Sequence, residues 1–278
     1  MTTCTAPSYS AKDFRTEVKP VWCPGCGDYA VLSSITKAFA DLGLEPHMTS
    51  VVSGIGCSSR IPAYTNTYGF HSIHGRGLAV AQGLKLARPD LTVLAAGGDG
   101  DGFSIGGNHF IHACRRNVDM TYIVMDNRVY GMTKGQPSPT TEADWDASAM
   151  APPGGTGVSP FHPLGIALAA GANFIARAFS GDPNGTAAIV AEAIRHPGFS
   201  FVAIMSPCIT FRDEQREWKN MVRPSGVEST TDSAQAARRL MTDDGYNIGV
   251  LYKGNRKPYG REIKATHSVA DLDKEFNL

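Results

Sequence analysis

Three apolar runs constrain this chain most, because each ends in small or polar residues suited to a ligand. Leu91 to Ala96 closes on Gly97-Gly98-Asp99-Gly100-Asp101-Gly102, Met120 to Met125 closes on Asp126-Asn127, and residues 199–205 close on Ser206-Pro207-Cys208. An apolar run of strand length reads as a parallel strand buried on both faces. Helices are expected over Asp28–Leu42, about Gly75–Ala87, near Asn108–Arg116, near 163–170 and over 186–195, with shorter strands at 49–53 and near 174–177. Asp28 is placed to cap the first helix and Gly43 to stop it. This alternation predicts an α/β fold, a parallel sheet with helices on both faces, whose ligands bind beyond the carboxyl ends of the strands. Residues 131–163, rich in Gly, Pro, Thr and Ser, read as a loop or lid. After about 222 the rhythm fades into a tail with one helix near 232–242, so the domain is set at 1–222 with an extension at 223–278.

The chain has 278 residues, 42% hydrophobic and 19% charged, which suits one large α/β domain. Lys+Arg and Asp+Glu both number 26. That balance argues against bulk nucleic-acid or membrane-surface binding. The first twenty residues carry no apolar signal core, and no apolar stretch reaches a membrane-spanning length. A cytoplasmic protein is expected, in which six cysteines read as ligands or core thiols rather than disulfides.

A Gly-rich loop after a buried strand lets backbone N–H groups approach a phosphate without interference from Cβ. Asp99 within it would repel phosphate unless a cation stood between them. Mg²⁺ takes a few protein oxygens and the rest from phosphate and water. Asn127, 28 residues further on (127 − 99), can supply the second oxygen, since one strand-helix-strand crossover spans about that length. The Val129 carbonyl can supply a third. Either element alone would read as a tight turn or a strand terminator; the two together at crossover spacing read as a diphosphate and metal site.

Gly98-Asp99-Gly100 followed by Asn127 resembles the thiamine-diphosphate signature of the pyrophosphate-binding domain. With Trp22-Cys23-Pro24-Gly25-Cys26-Gly27, Ile55-Gly56-Cys57-Ser58, His74-Gly75-Arg76 and Ser206-Pro207-Cys208, the chain resembles the β subunits of 2-oxoacid:ferredoxin oxidoreductases, the 2-oxoglutarate type above all. The resemblance covers about residues 14–222. It implies Asp99, Asn127 and the Val129 carbonyl as Mg²⁺ ligands. It also implies cofactor contacts from Ile55, Gly56, Cys57, Ser58, His74, Gly98, Gly100, Asp101 and the Gly131-Met132 turn. His74 by itself would read as a helix cap or surface residue, and beside a diphosphate as a donor to phosphate. Arg76 reads equally as a phosphate ligand or a structural ion pair.

Cys23 and Cys26 form a Cys-x-x-Cys, followed by Cys57 and Cys208. Four loop thiolates can hold a structural Zn²⁺ or a 4Fe–4S cluster, and spacing does not separate the two. A redox pair would leave Cys57 and Cys208 unexplained. Decarboxylation of a 2-oxo acid on thiamine leaves an electron-rich enamine, and no flavin or nicotinamide fingerprint is present to receive its electrons. That chemistry favours iron–sulfur, and the resemblance implies the same four ligands for one cluster. Cys114 reads as a core thiol; Cys4 has no such context.

The resemblance further implies a partner α subunit carrying the pyrimidine-binding domain and the activating Glu, against which residues 223–278 are expected to pack. The activity expected is oxidative decarboxylation of a 2-oxo acid with coenzyme A, or its reductive reverse, with electrons leaving to ferredoxin. Competing readings are a pyruvate-type or broad-specificity oxidoreductase, a non-redox thiamine decarboxylase with structural zinc, and a subunit that only transfers electrons. A distal carboxylate on the substrate would need a cation, and Arg60 and Lys134 are the candidates in loops assigned to the cofactor.

Overall fold

The computed structural model describes residues 9–226 and 228–260. In chain order the elements are α1 (Asp28–Asp41), β1 (Thr49–Ser53), α2 (Ile61–Tyr64), β2 (Tyr68–His71), α3 (Gly77–Ala87), β3 (Thr92–Gly98), α4 (Asp99–Phe103) and α5 (Gly107–Arg116). They continue with β4 (Met120–Asp126), α6 (Pro163–Ala169), β5 (Phe174–Phe179), α7 (Pro183–Arg195), β6 (Phe199–Met205), α8 (Trp218–Met221), β7 (Arg223–Pro224), α9 (Ser233–Met241) and β8 (Asn247–Lys253).

The apolar runs become β3, β4 and β6, and adjacent residues of each point to opposite faces of the sheet. Val93 and Ala95, Tyr122 and Val124, and Phe201 and Ala203 pack into one core with Leu78 and Ala81 of α3, Phe110 and Ala113 of α5, and Leu164 of α6. Leu94 and Ala96, Ile123 and Met125, and Val202 and Ile204 pack into the other with Val31, Ile35 and Phe39 of α1 and Val190 of α7. A strand with a core on each side needs an unbroken apolar run, which is why these three are so visible in the sequence.

The sheet order is β2-β1-β3-β4-β6-β5-β8-β7. The first six strands in that order are parallel, β8 runs antiparallel to β5, and β7 pairs parallel with β8. β3 and β4 are neighbours, so the loops after them emerge side by side. Among the described residues no helix is long and apolar enough to cross a membrane.

The structure departs from the sequence reading in several places, the short helices α2 and α8 among them. Asp28 is the first residue of α1, preceded by Gly27 at the cap position, and its carboxylate accepts from Ser206 Oγ at 2.7 Å instead of capping. Gly43 does end that helix, in the left-handed region at φ 63°. Residues 99–103, read as loop, wind into a short helix directly off β3. β2 was not foreseen: it holds a glycine, and all four of its residues are exposed on the sheet edge. Another departure is the tail, where β7 and β8 extend the sheet across the boundary set at 222. The rest of the 223–278 extension, from 261, lies outside the described residues, as does Cys4.

Candidate active site

The loops after β1, β3 and β4 enclose a cleft of about 470 Å³. Its walls include Ile55, Gly56, Cys57 and Ser58 after β1, then His74, then Gly98, Asp99, Gly100 and Asp101 at the end of β3, and Asn127, Val129, Gly131 and Met132 after β4. Every residue assigned to cofactor or Mg²⁺ from the sequence thus faces one cavity. Met125, Tyr130, Thr133 and Gln136 complete the lining.

Asp101 gathers two of these loops. Its Oδ1 accepts from the Ile55 N–H at 2.9 Å and the Gly75 N–H at 2.7 Å, and Nδ1 of His74 lies 2.8 Å from the same oxygen. With its side chain 5% exposed, this carboxylate meets three protein donors through a single oxygen. Asp101 therefore orients the 55–58 loop and His74 through Oδ1, while it also lines the cleft, as the sequence predicts for a cofactor-binding residue. The His74 ring nitrogen not facing Asp101 remains for a ligand.

Gly100 is a glycine because Tyr130 lies against it: a Cβ there would sit 2.2 Å from the Tyr130 ring. Tyr130 Oη donates to the Gly100 carbonyl at 3.3 Å. This ring joins the β3 and β4 loops and had no motif to announce it.

Asp99 is buried, 2% exposed. Burial, followed by the nearby Asp126 carboxylate, pushes its carboxyl up, against hydrogen bonds from Ser138, Thr140 and the Gly100 N–H. Asn127 Oδ1 accepts from the Val129 N–H at 3.1 Å, and the Asn127 carbonyl accepts from Gln215 Nε2 at 2.7 Å. A buried carboxylate with raised pKa beside amide and carbonyl oxygens is a hard-oxygen donor set of the kind Mg²⁺ uses when phosphate and water supply the remaining positions. Among the described residues, no three His, Cys, Asp or Glu side chains form a ready metal site by themselves. Phosphate, amide and carbonyl oxygens would therefore have to complete any cation site at Asp99.

The four cysteines lie at the end of the cleft where Gly131 is. Trp22 Nε1 donates to the Cys57 carbonyl at 2.8 Å, and the Gly27 N–H donates to the Pro207 carbonyl at 3.1 Å. These bonds lace the Cys-x-x-Cys turn to the Cys57 and Cys208 loops. A Cβ on Gly131 would sit 3.5 Å from Cys208 Sγ and 3.7 Å from Cys57 Sγ, so cleft and thiols share one thin wall. Burial and then Asp28 push the Cys57 thiol up to about 11, with Cys208 and Cys23 adding to it. Burial and Asp28 push Cys26 up as well, and burial raises Cys208. Buried Asp28 is itself raised to about 6 by desolvation. Burial and the neighbouring Asp28 carboxylate both oppose thiolate formation in this corner. Gathering all four onto one centre would require the side chains to draw inward. Cys114 is fully buried in the core, away from this corner.

Arg60 and Lys134 are both exposed, and neither lines the cleft. Lys134 is held at φ 81° in the turn beyond Thr133. Residues 131–162 hold no helix or strand, yet Ser138, Thr140 and Thr141 are buried, so the segment is anchored rather than free. Arg128 and Arg212 both pair with Glu142, Arg212 at 2.7 Å, and Arg212 also stacks over the Trp145 ring at 4.4 Å.

The profile of the family described as "Thiamine pyrophosphate enzyme, C-terminal TPP binding domain" matches residues 54–204. The chain is 48% identical over 259 residues to 2-oxoglutarate oxidoreductase subunit KorB of Mycobacterium tuberculosis, covering 93% of this chain and 67% of that protein. It is 43% identical to the 2-oxoacid:ferredoxin oxidoreductase subunit beta of Saccharolobus solfataricus, covering 91% of this chain and 88% of that protein. Among solved structures it resembles a 2-oxoglutarate:ferredoxin oxidoreductase from Magnetococcus marinus with 2-oxoglutarate, coenzyme A and succinyl-CoA bound. That match has a TM-score of 0.88, 38% identity and 97% coverage of each chain. The cleft at the ends of β1, β3 and β4 is therefore that of a thiamine-pyrophosphate domain, and the chain belongs to the β subunits of the 2-oxoacid:ferredoxin oxidoreductases.

Proposed function

We propose that this chain, with a partner α subunit, oxidatively decarboxylates 2-oxoglutarate to succinyl-CoA, or runs the reverse, and passes electrons to ferredoxin in the cytoplasm. The observation that carries this reading is the convergence of the Asp99, Asn127 and Ile55–Ser58 segments on one cleft, with Cys57 in its wall. When bound, thiamine diphosphate supplies the centre that stabilises the carbanion left by loss of CO₂, and a 4Fe–4S cluster takes electrons one at a time.

On this reading Asp99, Asn127 and the Val129 carbonyl hold Mg²⁺ against the diphosphate. His74, oriented by Asp101, and the N–H groups of the 55–58 and 98–101 segments bind the phosphates and keep bulk water out. Cys23, Cys26, Cys57 and Cys208 hold one cluster, and the shared Gly131 wall keeps it close to the cleft. β7 and β8 extend the sheet edge, and the 223–278 extension packs against the α subunit, which brings the pyrimidine-binding domain and activating Glu.

The choice of 2-oxoglutarate over pyruvate rests on the bound ligand and names of the relatives and on two cations next to the lining. Arg60 stands two residues beyond Ser58, and Lys134 follows Thr133. As both are exposed, they read the distal carboxylate only once the partner covers the mouth.

The test is turnover by the assembled complex, prepared without oxygen. The expected result is 2-oxoglutarate- and coenzyme-A-dependent reduction of ferredoxin, no decarboxylation by this chain alone, and broad brown iron–sulfur absorbance. A colourless, zinc-loaded complex that decarboxylates without reducing an acceptor would contradict it.

A further inference from the structure

Asp99 is held by the 131–163 segment, which its sequence presents as an unstructured connection. Ser138 Oγ donates to Asp99 Oδ2, and Thr140 Oγ1 lies 2.6 Å from the same oxygen. These partners stand 39 and 41 residues away along the chain. Their turn is locked from behind. The Ser138 N–H donates to Thr141 Oγ1 at 2.7 Å, and Thr141 Oγ1 donates to the Arg128 carbonyl at 2.7 Å. Arg128 follows Asn127 directly, so one turn braces both the Asp99 side chain and the backbone that carries Asn127. Ser138 and Thr140 are buried, at 8% and 6% exposure. Burying a hydroxyl is costly unless it has a partner, and these two spend their donors on a carboxylate facing the cleft.

We propose that Ser138 and Thr140 are positioning residues for Asp99. By occupying Oδ2 they fix the carboxylate rotamer and leave the other oxygen as the one offered to the cation. Mg²⁺ requires near-octahedral geometry with short, well-aimed oxygens, so a carboxylate free to rotate or to bind through both oxygens would hold it less well. Thr140 Oγ1 also lies 2.8 Å from Asp126 Oδ1. A hydroxyl has one proton, so Thr140 donates to one of the two carboxylates at a time. Ser138 therefore carries the steadier bond to Asp99, and Thr140 keeps the two acids at a fixed separation.

This inference rests on the reading of Asp99 as a cation ligand, and the experiment separates the two. Thiamine diphosphate is titrated into the assembled complex across a range of Mg²⁺ concentrations, for the parent, Ser138→Ala, Thr140→Val and Thr140→Ser. Mn²⁺ in place of Mg²⁺ gives an electron paramagnetic resonance signature of the site. Removing an outer partner of a ligand weakens metal binding about ten- to a hundredfold. Ser138→Ala and Thr140→Val are expected to raise the Mg²⁺ requirement by that factor and to broaden the Mn²⁺ spectrum. Thr140→Ser, which restores the hydroxyl, is expected to bind like the parent. A parent that needs Mg²⁺, with Ala and Val variants that need no more of it, would overturn the positioning role alone. A Thr140→Ser variant as impaired as Thr140→Val would do the same. A parent whose cofactor affinity ignores Mg²⁺ would overturn the Asp99 reading beneath it.

Discussion

In the diphosphate cleft the polar side chains are already provided for: Asp101 holds two backbone N–H groups and His74, and Asp99 holds two hydroxyls. The adjoining cysteine corner differs in the kind of group it gathers. Three thiols have raised pKa values and stand over a buried Asp28 whose carboxyl is itself raised, so the corner resists becoming charged. The two regions meet at Gly131 and Cys57. The cleft presents hydrogen-bonded carboxylates to a cavity, whereas the corner gathers thiols whose ionisation burial opposes. On the proposed reading the cleft takes thiamine diphosphate and the corner takes one 4Fe–4S cluster, so the two sites can be perturbed separately.

The sharpest way to break this contrast is to remove one thiol. Cys57→Ala is expected to abolish the iron content of the complex and ferredoxin reduction, while Cys114→Ala, buried in the distant core, leaves both at parent levels. Iron analysis beside the optical spectrum decides it, and equal losses in the two variants would erase the distinction between corner and core.

A smaller effect is expected from Asp101→Asn. Losing a charge-assisted acceptor for several donors costs roughly 1.5–3 kcal/mol. It should weaken thiamine diphosphate binding about ten- to a hundredfold while iron content stays constant. A fall in both would mean that Asp101 organises the corner as well as the cleft.

How far these regions can be read from sequence follows from how each is built. β3, β4 and β6 were visible because a strand with a core on both faces must be apolar throughout, and the Gly98-Asp99-Gly100 turn and Asn127 stood at the ends of such runs. β2 and β8 were not: Tyr68–His71 is wholly exposed, and Asn247–Lys253 is half-buried throughout and includes Gly249 at φ 144°. Within the cleft the motif residues were legible, and their arrangement was not. Nothing in Asp101 distinguishes a phosphate contact from a brace for two loops. The hydroxyls on Asp99 come from a stretch whose composition signals only a loop, because their significance lies in contacts about forty residues distant.

The smallest expected effect concerns the anchoring of that stretch. Burial alone would push the Glu142 carboxyl up, but Arg128 and Arg212 together hold it below the ordinary carboxylate value near 4.5. A carboxyl lowered in the folded state stabilises it above the unfolded pKa, and the contribution disappears as pH falls through the folded value. Glu142→Gln should therefore cost about 1 kcal/mol at neutral pH, modest because the carboxylate is partly exposed. Protease cleavage within residues 131–163 should become faster, and the difference from the parent should fade below about pH 4.5. A penalty that persists at lower pH would mean that Glu142 packs rather than pairs.

The most direct test of the cleft's assignment is a calorimetric titration of thiamine diphosphate into the assembled complex, with Mg²⁺ and with chelator, for the parent and for Asp99→Asn. The expected result is saturable binding that needs Mg²⁺ in the parent and is sharply weakened in Asp99→Asn, with the fold intact by circular dichroism. Equal affinity with Mg²⁺ and with chelator, or an unchanged Asp99→Asn, would contradict it.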